Sequence, residues 1–228
     1  MFDFLKKKTP KINVTERIDA IEAKVYAELK PLGFRKHGRT LHRFVDGDIS
    51  QVINFQCGQA YREETHLMWV NIGIRVPECF LRSFSADEPQ KKYYRECECT
   101  IRSRLGTIKK SKVTTYNLRK NNDKITEDIL YQINKYVLPA FEVLNSREAI
   151  LRERRNYPHF DTRYDRVILL EEAMIYGKMG DMENAITVFN QYYNGCIKRR
   201  KPNKSHIEYL RKLANELGIP LDIQGGIK

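Results

Sequence analysis

The chain has 228 residues, 41% of them hydrophobic and 31% charged, which excludes a disordered polypeptide and allows a sizeable core without disulfides or metals. The formal net charge is +12 and the pI near 9.4, a balance that favours an acidic counterpart: nucleic acid, an anionic membrane surface or an acidic protein. Five cysteines, Cys57, Cys79, Cys97, Cys99 and Cys196, follow no framework spacing and suggest a reducing compartment. No run approaches the roughly 18 apolar residues of a membrane span, so a cytoplasmic protein is expected.

Residues 15–31 predict a helix. Thr15 is placed as its N-cap, Ile18, Ile21, Val25 and Leu29 form one apolar stripe, and Pro31 and Gly33 stop it. The period then changes from helical to alternating, and 32–44, 49–57 and 66–76 read as successive strands. In 49–57, Ile49, Ile53, Phe55 and Cys57 share one face, opposite Ser50, Val52, Asn54 and Gln56. In 66–76, Met68, Val70, Ile72, Ile74 and Val76 share one face, opposite Leu67, Trp69, Asn71, Gly73 and Arg75. A period of two means strands with one buried face. Asp46-Gly47-Asp48 predicts the turn between the first two strands, and 59–65 a polar connection.

Residues 77–94 are a longer excursion containing Pro77 and Pro89. A strand is predicted over 95–105, with Cys97, Cys99, Ile101 and Leu105 on one face and Glu96, Glu98, Arg102 and Arg104 on the other. A fifth, weaker strand runs from Val113 to Leu118. From Asp123 the pattern turns helical, with Pro139 kinking or breaking the segment. A short charged helix over 146–155 and three helices over about 163–178, 182–196 and 204–217 follow. The expected fold is α+β: a four- or five-stranded antiparallel sheet with flanking helices over 1–145, then an all-helical segment over 146–228.

Two patterns carry a resemblance. Gly33, Phe34, Arg39, Arg43, Asn54, Phe55, Gln56, Asn71 and Gly73 make up a Gly-Phe-basic, Asn-Phe-Gln and Asn-x-Gly series. This series resembles a bacterial family catalogued as a domain of unknown function, over about residues 16–145. The resemblance implies an antiparallel α+β domain and supplies no catalytic residues; immunity proteins that neutralise toxins are a functional analogy only. Residues 169–189, with Ala173, Tyr176, Gly180-Asp181, Ala185 and Phe189, resemble one tetratricopeptide helical hairpin. A free-standing solenoid needs three repeats, so one hairpin is read as a helical appendix to the sheet.

Chemistry-bearing signals are sparse. Cys97-x-Cys99 lacks a second pair and is read as structural cysteine rather than a zinc site. His37, His42 and His66, with Glu63 and Glu64, leave a small hydrolase or nuclease as an alternative. No Gly-x-Ser-x-Gly, His-Glu-x-x-His or phosphate-binding loop is present, and no catalytic residue, metal or cofactor is assigned. The binding candidates are Asn54, Gln56, Trp69, Asn71 and Arg75 on one sheet face, with Arg102 and Arg104. Amides on a sheet pair with peptide, base or sugar edges, and an indole stacks. The competing reading covers this face with helices and uses its amides internally. Residues 91–124 carry eleven Lys and Arg against three Asp and Glu, most of the net charge. The expectation is a non-catalytic intracellular binding protein with an acidic protein partner, nucleic-acid binding through 91–124 being the alternative.

Overall fold

The computed structural model of the chain describes residues 13–58, 66–85, 89, 91–108, 115–160 and 165–222. Helix α1 spans Val14–Leu29. Its N-cap is Asn13 rather than Thr15, two residues earlier, because the Asn13 side chain accepts the free N–H of Glu16 at 3.3 Å. One turn of 3₁₀ helix follows, closed by Gly33 at φ +86°, a left-handed conformation that only glycine adopts without strain.

Among the described residues six antiparallel strands form the sheet: β1 Arg35–His37, β2 Thr40–Val45, β3 Ile49–Cys57, β4 Leu67–Arg75, β5 Ile101–Arg104 and β6 Tyr116–Asn117. The first five run in simple order, and β6 pairs with the start of β4, on the edge that β5 leaves free. The predicted 32–44 stretch is a tight hairpin, its two turn residues being Gly38 and Arg39. The Val113 start of the weakest predicted strand and the 59–65 connection lie outside the described residues. Residue Asp46 enters the β2–β3 turn at φ +46°, as the Asp-Gly-Asp sequence predicts.

Pairing register fixes which side chains share a face. Leu41, Ile53 and Ile72 stand opposite one another across three strands, and so do Phe55 and Val70. These residues are buried with Ile18, Ile21, Val25 and Leu29 of α1. Helix α1 lies beside α4, Asn122–Gln132, whose N-cap Asn121 accepts from the N–H groups of Asp123 and Lys124. Five residues of π-helix, Ile133–Val137, then lead into α5, Leu138–Val143. Pro139 has no N–H and its ring crowds the carbonyl four residues back, so the ladder widens instead of breaking. Arg43 ties the opening block to this helix: it donates to the Gln51 side chain at 2.7 Å and the Leu32 carbonyl at 3.1 Å, and pairs with Glu142.

Two short helices, α2 Pro77–Leu81 and α3 Leu105–Ile108, flank β5 in sequence. The helical remainder comprises α6 Arg147–Glu153, α7 Asp165–Lys178, α8 Met182–Ile197 and α9 Lys204–Glu216. Ala173, Ala185 and Phe189 are fully buried between α7 and α8, and Gly180 at φ +81° with Asp181 as N-cap makes the turn. The hydrophobic core runs on from the sheet through Leu170, Met174 and Phe189 to Ile219. Arg147 clamps the β2–β3 turn to α2, donating to Glu78 and Asp48, each at 2.9 Å. No described helix is long and apolar enough to cross a membrane.

Glu22 of α1 is a buried carboxylate (1% exposed) facing Lys36 of β1 at 3.5 Å, too far for a hydrogen bond. Burial raises its pKa, and the Lys36 charge only partly opposes this. A carboxyl whose pKa is raised on folding favours the native state while protonated. That contribution is full below the unfolded-state pKa and is lost as pH rises through the folded-state value. Glu22→Gln is therefore expected to stabilise the protein near neutral pH by about 1 kcal/mol, and to lose the advantage below about pH 4. Urea unfolding at the two pH values measures both parts.

Candidate functional site

The polar face of the sheet is built in cross-strand rows. His37, Thr40, Asn54, Asn71 and Arg104 form one row; Arg35, His42, Val52, Gly73 and Arg102 form the next; Phe44, Ser50 and Arg75 form the third. Gln56 and Trp69 stand opposite each other beyond the first row. All seven residues that the sequence singles out thus share one face.

The segment 93–100 crosses this face and divides it. The Tyr94 ring lies against the guanidinium of buried Arg75 at 3.8 Å, and Tyr93 stacks on His37 at 3.6 Å between centroids. Cys99 fills the space above Gly73, where an added Cβ would meet its Sγ at 2.5 Å. The predicted strand over 95–105 is corrected here: Glu96–Glu98 is a 3₁₀ turn, and only Ile101–Arg104 is extended. Cys97 and Cys99 therefore do not share a strand face. Cys97 is exposed, whereas Cys99 is buried, and burial pushes its thiol well above the ordinary range. No group of three or more His, Cys, Asp or Glu suited to a metal ion occurs among the described residues.

Arg75 is thus covered rather than open. On one side of the strap, Asn71 donates to Gln56 at 2.9 Å, and Asn54 donates to the Thr40 hydroxyl at 3.0 Å and the Arg39 carbonyl at 3.3 Å. Arg104 stacks over Trp69 at 5.4 Å, and Arg102 donates to Glu96 at 2.7 Å. Gln56, Asn71, Arg102 and Arg104 line a cleft of about 530 Å³ there. Asn71 and Gln56 thus bond each other and Arg102 is held by Glu96, so much of this lining is already engaged within the protein.

On the other side lies a cleft of about 680 Å³, lined by Arg35, Lys36, His37, His42, Arg43, Phe44, Lys91 and Lys92 with Gly33 and Gly47. Among the described residues its lining holds five Lys and Arg, two His and no carboxylate. His42 is buried, and its Nδ1 has no hydrogen-bond partner. Burial, with the charges of Arg35 and His37, holds this imidazole below the ordinary histidine range. Glu98 lies on the neighbouring rim. Burial alone would raise its pKa, but the Arg95 N–H and the Lys91 ammonium outweigh burial and lower it. Among the described residues, neither His42 nor His66 hydrogen-bonds a carboxylate, so no nucleophile–base pair is assembled at either. Glu63 and Glu64 lie outside the described residues.

The sequence puts His37 and His42 forward only for the hydrolase or nuclease alternative, not as the lining of this cleft. A usable signal existed: phasing Arg35, His37, Thr40, His42 and Phe44 through a two-residue turn at Gly38-Arg39 puts all five on the Asn54 face. The arrival of Lys91 and Lys92 has no such signal, because it follows a long connection.

Comparison with known protein families matches a domain of unknown function, DUF4304, to residues 25–143, just over half of the chain. The chain belongs to the DUF4304 family. The DUF4304 match runs from within α1 to the end of α5 and takes in the whole sheet, both clefts and the strap between them. Helices α6 to α9 lie beyond it. No curated protein and no solved structure matches the chain. Within the DUF4304 region, Gly33, Phe34 and Arg43 of the opening block have structural positions: a helix stop, a core ring and a side chain stitching β2 to α5.

Proposed function

We propose that this is a non-catalytic binding protein of bacterial, intracellular type, whose basic surface receives an acidic protein partner. The lining of the cleft between the β1–β2 hairpin and Lys91–Lys92, five Lys and Arg with no carboxylate among the described residues, carries this reading. Concave surfaces of one charge focus the field and speed encounter with an oppositely charged partner. Exposed Arg35, Lys36 and His37 on edge strand β1 add to it and also discourage strand-to-strand aggregation. Neutralisation of a toxin, in the manner of an immunity protein, is one role that such a surface fits. The tetratricopeptide-like hairpin α7–α8 acts in this reading as packing for the sheet, since its Ala173, Ala185 and Phe189 are consumed internally.

The test immobilises the full chain and passes native lysate over it at low salt. Acidic proteins retained by the native chain and released by salt are the expected result, with retention cut about ten-fold by the double variant Arg35→Glu/Lys92→Glu. Absence of any retained protein above background overturns the reading. Nucleic acid co-purifying with the chain and removed by nuclease, with no protein bound, transfers the surface to the nucleic-acid alternative.

A further inference from the structure

We infer that the basic cleft is a receptor for a phosphate monoester, bound among Arg35, His42 and Lys92. The inference rests on reading this cleft as an anion-binding surface, but not on the partner being a protein. Arg35 and His42 face each other directly across the β1–β2 pair, which sets their Cβ atoms about 5 Å apart. Lys92, immediately before the strap, lines the same cleft. Among the described residues neither Arg35 nor Lys92 makes an ion pair, although most other charges of this region do. Lys36 faces Glu22, Arg43 holds Glu142, and Lys91 and Arg95 both meet Glu98. The charges left over thus collect on one lining.

His42 is the second, independent observation. A buried imidazole with an unpartnered nitrogen is unusual, because burying a polar group without a hydrogen bond is costly. An anion in the cleft answers both conditions that hold the ring neutral and unpaired. It offsets the charges of Arg35 and His37, and it supplies an acceptor once the ring turns its buried Nδ1 toward the cleft. A phosphate monoester suits this lining better than a carboxylate. It carries a charge of about −1.5 to −2 and three acceptor oxygens, against one charge and two oxygens. The cleft is open to solvent on one side and at about 680 Å³ has room for the group that bears the phosphate. The stacked pair His37–Tyr93 forms part of the neighbouring wall.

The experiment titrates the isotope-labelled full chain with inorganic phosphate, chloride serving as control at equal ionic strength, and follows the His42 imidazole and Phe44 ring by NMR. A saturable shift with phosphate alone is expected. Arg35→Gln and Lys92→Gln, both at exposed positions, each weaken it about ten-fold. A response equal to that of chloride, or an affinity unchanged in both variants, overturns the inference. A phosphoserine peptide that binds far more tightly than free phosphate assigns the group to a protein, and equal affinities assign it to a small monoester. Phosphate binding without any captured acidic protein keeps this inference and removes the partner reading. Captured protein without phosphate binding does the reverse.

Discussion

Replacing Arg154 by Leu is expected to destabilise the protein by about 3–5 kcal/mol, enough to lower its melting temperature by about 10 °C. The Arg154 and Glu171 side chains are 1% and 2% exposed, and one guanidinium nitrogen lies 2.7 Å from the carboxylate. Glu171 stands on α7 where α2 packs, and its carbonyl accepts from the Cys79 thiol at 3.4 Å. Removing the arginine takes from a carboxylate buried far from water the guanidinium that faces it, and the desolvation this no longer offsets is the larger part of the loss. Two comparisons make the prediction specific. The double variant Arg154→Met/Glu171→Met removes both charges and is expected to recover most of the stability. Lys24→Met, which breaks a pair with Asp123 whose two side chains are 59% and 65% exposed, is expected to cost no more than about 1 kcal/mol. Urea denaturation of the four proteins decides it: equal losses for Arg154→Leu and Lys24→Met would show that burial does not set the cost.

The same contrast between local and distant determinants explains what was legible in the sequence. Strands β3 and β4 alternate cleanly because one face meets α1 and the other does not. Their bounds and the facing of Asn54, Gln56 and Asn71 follow from the period alone. Helices α7, α8 and α9 announce themselves through caps and stops at Asp181, Asn203 and Gly218. The alternation over 95–105 misleads for a physical reason. Glu98 accepts the N–H of Arg95 and draws three residues into a 3₁₀ turn, a local hydrogen bond that competes with the extended form. The basic cleft is the least legible feature. Its donors come from positions 35 to 42 and 91 to 92, and only the long-range docking of Tyr93 and Tyr94 on the sheet brings them together. The excess charge in 91–124 was visible, but not its division. Arg102 and Arg95 serve ion pairs and Arg104 serves Trp69, while Lys92 is left for the cleft.

Gly73 holds that docking in place, and Gly73→Ala is expected to destabilise the protein by about 1–3 kcal/mol and to weaken anion binding with it. A Cβ at position 73 would lie 2.5 Å from the Cys99 Sγ and 2.7 Å from its Cβ. Cys99 has no long side chain to swing aside, and the next residue is pinned. The Thr100 N–H donates to the Ile74 carbonyl at 2.8 Å, and the Thr100 hydroxyl bridges the N–H and carbonyl of Val76 at 3.1 and 3.2 Å. The strap must lift as a unit, taking Tyr94 off Arg75 and moving Lys92 away from Arg35 and His42. Cys99→Gly introduced beside Gly73→Ala removes both the sulfur and the Cβ that cause the conflict. The double variant is therefore expected to regain at least about half of the lost stability and most of the phosphate affinity, a coupling that a double-mutant cycle reads directly. If Gly73→Ala instead melts and binds phosphate like the native chain, the strap is not wedged on this glycine, and the cleft owes its shape to something other than the contact between Cys99 and the sheet.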